Sequence, residues 1–165
     1  MLELQRAAEA HDPQAFIALL APDIVVRSPI TQDIRFEGIE QATDLFERVF
    51  AVLSDIRFYE TIGEGESSQV IFWRGRVGRH HLEEANLLRL DEQGRVREMT
   101  VFMRPLPGLL ALATELISSF GSRHGRVRGL LLRLMVGTLS FAYRAGEPLA
   151  VRLSGAGVPV PAAER

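Results

Sequence analysis

Between residues 69 and 105 the chain runs through three successive stretches in which apolar and polar positions alternate, each closed by a turn signal. In the first, Ile71, Trp73, Gly75 and Val77 share one parity, and Arg74 and Arg76 share the other. In the second, Leu82, Glu84, Asn86 and Leu88 stand together, opposite Arg89; in the third, Met99, Val101 and Met103 form the apolar set. A period of two is the strand period, so three consecutive antiparallel strands are predicted. Gly78-Arg79 places glycine first in a two-residue loop, which suits a type II′ hairpin. Asp91-Glu92-Gln93-Gly94 reads as a longer loop in which Gly94 takes a positive φ, and Pro105 ends the third strand.

The preceding residues change period. Residues 2–11 read as a short helix, and Asp12-Pro13 caps a second one running to Leu20, with proline at its first position. Ala21-Pro22-Asp23 is expected to stop it. Residues 24–28 read as a strand broken by Pro29, and residues 34–36 as another short strand. Gly38 leads into a helix over residues 39–53, where Ile39, Ala42, Phe46, Val49 and Leu53 keep one apolar face. Residues 56–62 are predicted as a strand with Ile56, Phe58 and Ile62 on one side. The order is helix, helix, strand, strand, helix and a four-stranded meander, an α+β plan.

After Pro105 the pattern changes again. Residues 109–120 predict a helix broken over residues 121–125, followed by a nearly all-apolar helix over residues 127–143. At helical spacing Arg126, Arg133, Gly137, Ser140 and Arg144 fall in one narrow stripe, and leucines, Met135 and Phe141 cover most of the rest. Such a helix is expected to pack on the sheet or on a second subunit, with attachment to a membrane surface as the alternative. It is too short and too often interrupted by arginine to span a bilayer. From Gly146 onward, prolines and glycines predict an extended tail. Three segments are therefore expected: a domain over residues 1–112, a helical extension over residues 113–145, and a tail over residues 146–165.

A chain of 165 residues, 47% hydrophobic, can bury a core without disulfides or structural metal. It has no cysteine, which removes thiol nucleophiles and cysteinyl metal sites. All 19 basic residues are arginine, which excludes Schiff-base lysine chemistry and a lysine-dependent phosphate loop. Arginine-only usage with abundant alanine and glycine is associated with the coding bias of GC-rich bacteria. The net charge of −2 conceals an asymmetry, with residues 1–103 holding 11 Arg against 18 acids, and residues 104–165 holding 8 Arg against 3. The acidic main domain, and a tail without aromatic interleaving, argue against a nucleic-acid partner. The N-terminus has no basic segment followed by an apolar run, so a cytoplasmic location is expected.

Asp12-Pro13, Ser28-Pro29, Phe36-Glu37-Gly38-Ile39 and the run from Leu87-Leu88-Arg89-Leu90-Asp91 through Gly94-Arg95-Val96 to Phe102-Met103-Arg104-Pro105-Leu106 occur in one order. In these pieces the chain resembles the SnoaL-like proteins of the nuclear transport factor two-like superfamily, over residues 2–112. The resemblance implies a cone-shaped α+β barrel, in which a curved antiparallel sheet wraps around N-terminal helices and encloses a deep pocket. Family members include polyketide cyclases, ketosteroid isomerases and epoxide hydrolases, together with domains of no known catalysis, so the fold alone does not select an activity.

By strand parity the expected lining is Trp73, Leu88, Met99, Val101 and Met103, with Phe58 from the preceding strand. Such a wall suits an apolar or aromatic small molecule. Asn86 stands where related sequences often carry an aspartate; asparagine exchanges no proton but can orient a ligand through a hydrogen bond. Glu84 is the best remaining acid for catalysis, although Glu83-Glu84 also reads as a solvated strand end. His80 and His81 point to opposite faces of a strand and cannot chelate one metal without a bulge, so no metal site is expected. His81 is the histidine best placed to join a carboxylate at the pocket rim. Ser28 lacks the context of a nucleophile, and residues 121–125 lack that of a phosphate loop. No cofactor is implied. The leading expectation is binding of a small hydrophobic or polycyclic molecule, by a homodimer, without strong catalytic equipment. The alternatives are a cyclase, isomerase or hydrolase using Glu84 or His81 as acid-base, and a structural dimerisation domain.

Overall fold

The structure is a computed structural model, and it describes residues 2–63, 65 and 67–124. Contacts divide the chain after Leu112, so that Met1–Leu112 form one compact unit. The expected helix over residues 127–143 and the tail beyond it lie outside the described residues. Among the described residues no helix is long and apolar enough to cross a membrane.

Helices α1 (Leu2–Glu9) and α2 (Pro13–Ile17) lead into strands β1 (Leu20–Arg27) and β2 (Arg35–Glu37). Helix α3 (Gly38–Val52) follows, then β3 (Leu53–Ile62), β4 (Ser68–Val77), β5 (His80–Leu90), β6 (Val96–Arg104) and helix α4 (Leu106–His124). Asp12 caps α2 as its sequence predicts: its side chain accepts from the Ala15 amide at 2.9 Å, and Pro13 occupies the first turn, where no amide donor is needed. The strands form one six-stranded sheet in the order β2-β1-β6-β5-β4-β3. The meander and the β1–β2 pair are antiparallel, whereas β1 lies parallel to β6.

Several boundaries move, each for a local reason. Helix α2 ends at Ile17, and β1 starts at Leu20 instead of Ile24. Pro22 is tolerated there because the register with β6 shifts between Leu20 and Val25, so the residues between them need not supply a ladder donor. Irregularities between Ser54 and Arg57 and between Phe58 and Glu60 break the parity of β3. Ile56 is therefore buried, whereas Ile62, expected on the same side, is 53% exposed. Thr61 takes the position opposite Ile71, and its hydroxyl accepts from Gln5 Nε2 at 2.7 Å. Helix α4 starts at Leu106, with Pro107 in its first turn, and continues through Gly121 to His124.

The two hairpins form as the turn residues require. Val77 pairs with His80 around Gly78-Arg79, with Gly78 at φ +56° and Arg79 outside the positive-φ region. That combination is the type II′ pattern. In the next loop Gly94 sits at φ +77°, and the Asp91 carboxylate accepts from the amides of Gln93 and Arg95 at 2.9 and 2.8 Å.

The core joins Phe16, Phe46 and Phe50, whose rings touch at centroid distances of 4.9 and 5.4 Å, to Ile24 and Val26 of β1 and Leu45 of α3, all buried. The first turn of α4 presses on the start of β5. A Cβ at Gly108 would lie 2.6 Å from the His81 carbonyl oxygen and 2.9 Å from Leu82 Cβ. The opposing atom is backbone in a strand and cannot swing aside. Gly108→Ala is therefore expected to destabilise the unit by about 1–3 kcal/mol through overpacking, which outweighs a helix-propensity gain of at most about 1 kcal/mol. Urea unfolding of the two proteins measures the difference, and a midpoint that stays or rises in the variant would refute this packing.

Candidate functional site

The register of β3 to β6 lines up the predicted site residues in rows. Phe58 pairs with Trp73, Trp73 with Glu84, and Glu84 with Met103, so one row crosses all of the meander's strands. The adjacent row is Thr61, Ile71, Asn86 and Val101; the next holds Gln69, Leu88 and Met99. In β4 and β5 burial alternates strictly over these positions. Ile71, Trp73, Leu82, Leu88 and Met99 are buried, and Phe58, Val101 and Met103 are half-buried. Gly75 makes room for the indole: a Cβ there would stand 3.0 Å from the Trp73 ring edge.

Three polar side chains are buried on this face: Gln69, Glu84 and Asn86, at 4%, 9% and 4% exposure. Glu84 is thus no solvated strand end. Its carboxyl is hydrogen-bonded by the side chains of Asn86 and Trp73. Tryptophan can only donate, through Nε1–H. Asn86 donates through its amide nitrogen, because its Oδ1 is buried without a partner. Burial among apolar neighbours raises the pKa of Glu84 from 4.5 to about 8, and the two hydrogen bonds only partly offset that desolvation. At neutral pH the carboxyl is mostly a neutral acid, one that accepts two hydrogen bonds and carries one O–H of its own.

His81 does not join this group. It is exposed, one strand position out of phase with Leu82 and Glu84, and opposite Arg76 on β4. Among the described residues no group of His, Cys, Asp and Glu is arranged to hold a metal ion. Gln69 and Gly75 were not singled out as site residues by the sequence. Carrying the inward parity of β4 two residues back from Ile71 would have found Gln69, and a glycine among bulky strand residues marks where a ring needs space.

The raised pKa has a direct consequence for stability. An unfolded chain ionises Glu84 near 4.5, while the folded one holds the proton to about 8. The contribution is fully present below the unfolded value and is lost as pH rises toward 8, because ionisation then favours the unfolded chain. The loss over that window is on the order of 4 kcal/mol. Glu84→Gln, which keeps the shape without the charge, is expected to flatten this part of the profile and to be more stable than the parent at pH 8. Urea titrations at a series of pH values test it, and parallel profiles for parent and variant would contradict the burial of an ionisable group here.

A family model for the SnoaL-like domain matches residues 2–99. A comparison with curated proteins finds no match. Among solved structures the chain is similar to a steroid delta-isomerase from Pseudomonas aeruginosa, at 27% identity and a TM-score of 0.66, covering 74% of this chain and 89% of that one. It is also similar to an uncharacterised protein with a cystatin-like fold from Silicibacter pomeroyi, at 23% identity and a TM-score of 0.66, with 80% and 90% covered. The epoxide hydrolase/cyclase-like enzyme SalBIII, associated with pyran ring formation in the polyether salinomycin, shares 15% identity at a TM-score of 0.54 over 62% of this chain and 86% of that one. The last two likenesses concern the fold alone. With the family model spanning most of the unit that carries the sheet, and the same architecture in solved relatives, this chain belongs to the SnoaL-like domain family.

Proposed function

We propose that this protein binds a small hydrophobic or polycyclic molecule against the inward face of β3 to β6, with Glu84 and Asn86 engaging one polar atom of it. The observation that carries the reading is the unpartnered, buried Oδ1 of Asn86 beside Glu84. An orphaned buried acceptor costs about 1–3 kcal/mol, a penalty that a ligand can relieve. The remainder of the face offers rings and thioethers: Phe58 and Trp73 lie 6.4 Å apart, and Met99 and Met103 adapt to irregular outlines. Val101 and Met103, half-buried on β6, are the side chains a ligand displaces to reach Asn86.

Trp73 is the protein's one tryptophan. Apolar ring compounds are expected to change its fluorescence and to raise the melting temperature, because a ligand selective for the folded state stabilises it by mass action. For a ring compound that carries a polar group, Asn86→Ala should weaken binding by about 0.5–1.5 kcal/mol, the net worth of a hydrogen bond. A broad set of such compounds that moves neither signal would defeat the proposal.

Glu84 favours a second reading, as a proton-transfer enzyme. A carboxyl with a pKa of about 8 is tuned for acid-base work near neutrality. An isomerisation needs only one such group, because the proton taken from one carbon is returned to another. The likeness to a steroid delta-isomerase supports testing a cyclic β,γ-unsaturated ketone. Glu84 would break the C–H bond between carbonyl and alkene, leaving a dienolate, and return the proton to the far alkene carbon to give the conjugated ketone. The base form is the active one, so turnover should rise with pH to a plateau above about 8 and fall at least about 100-fold in Glu84→Gln. A rate independent of pH and of this substitution would remove Glu84 from the chemistry.

A further inference from the structure

The hydrogen-bond inventory at Asn86 narrows the ligand class, an inference that rests on the binding reading above. Trp73 has one donor, and it is used on Glu84. The Asn86 amide nitrogen is directed to the same carboxyl. What remains in this trio is the O–H of the neutral Glu84 carboxyl and the bare Oδ1, which has no partner and is enclosed so that water does not reach it. Its cross-strand neighbours are Ile71 on β4 and Val101 on β6, neither of which has a side-chain donor. Asn86 Oδ1 therefore lacks a hydrogen-bond donor within the protein, and the ligand must bring it.

We propose that the ligand is a hydroxylated ring compound, a phenol or cyclic alcohol, whose O–H donates to Asn86 Oδ1 while its oxygen lies beside the Glu84 carboxyl. A hydroxyl supplies one donor and two acceptor lone pairs, so it can satisfy Oδ1 and also accept a hydrogen bond from the neutral acid. A ring ketone of the same size offers only acceptors and leaves Oδ1 as orphaned as it was. A hydrocarbon leaves both groups unserved. A site built around a ligand's donor discriminates strongly against analogues without one, because the buried partner is then left unpaired.

Binding of 2-naphthol, 2-tetralone and naphthalene to the full-length protein, measured by equilibrium dialysis at neutral pH, separates the cases. These probes share a bicyclic carbon skeleton: 2-naphthol and naphthalene differ only in the hydroxyl, and 2-tetralone carries a carbonyl on a partly saturated ring. The expected order has 2-naphthol at least tenfold tighter than 2-tetralone and naphthalene. In Asn86→Leu, which replaces the amide with a side chain of similar size, that preference should disappear while naphthalene binds as well as before or better. Equal affinity for 2-naphthol and 2-tetralone in the parent protein, or a preference for the ketone, overturns the donor requirement and leaves the binding reading intact. Failure of all three to bind the parent overturns both. A hydroxyl preference that survives unchanged in Asn86→Leu also overturns the assignment to Asn86. The parent ranking decides the matter even if the variant does not fold.

Discussion

The register of β4 against β5 is the constraint on which the rest of the site depends. A two-residue loop at Gly78-Arg79 fixes it, and from Val77 opposite His80 every later pair follows, including Trp73 opposite Glu84 and Ile71 opposite Asn86. A slip of one residue would turn Glu83 and Arg89 inward and send Trp73 or Glu84 to the outer face. The outer face is built to resist that exchange. Arg74 pairs across to Glu83 and Glu83 to Arg104, with a salt bridge between the last two. Tyr59 stacks near Phe72 and beneath the Arg74 guanidinium at 5.5 Å. Placing these charges inside would cost far more than the hairpin could return.

The same register explains why a carboxyl can be buried at all. An isolated ionised carboxylate is very costly among apolar side chains, and proteins avoid the cost by neutralising the group or surrounding it with donors. Here both devices operate: the indole and the amide supply two donors, and the remaining penalty shifts the proton equilibrium until the acid is neutral at ordinary pH. Trp73 reaches Glu84 because they are cross-strand partners, and Asn86 reaches it because residues two apart on a strand share a face. The trio is a product of strand geometry and needs no loop to assemble it. A site carried on a sheet holds its geometry more tightly than one carried on loops.

Much of this was legible in the sequence because strand parity and turn chemistry are local. Alternation placed Trp73, Glu84, Asn86, Leu88 and Met99 on one face, and glycine at position 78 set the hairpin, so the fold and most of the inward group followed from neighbours a few residues apart. Ile62 and His81 show where that reasoning stops. Irregularities in β3 turned Ile62 out to solvent, and no residue type near Phe58 signals them. His81 needed a bulge in β5 to turn inward, and the pairing of β4 with β5 is continuous from Val77–His80 onward. The parallel pairing of β1 with β6 joins residues far apart in sequence, which no local pattern encodes. Burial of Glu84 was likewise a tertiary outcome: parity separates it from Glu83, but only the packed sheet makes one half-exposed and the other a neutral acid.

An amide beside that acid, where a second acid would be the alternative, sets what the site can do. Two carboxyls in contact would share a proton, with one pKa raised and the other lowered, and the pair would titrate in two coupled steps. Asparagine removes the second titration and replaces it with a fixed polarity, a donor committed to Glu84 and an acceptor committed to nothing within the protein. Glu84 therefore titrates alone, governed by burial, and its neutral form prevails below about 8. The amide itself neither gains nor loses a proton at ordinary pH, so its polarity does not titrate. The face thus combines an adjustable proton with an invariant acceptor on adjacent inward positions of one strand. That arrangement separates the group that selects a ligand from the group that could act on it.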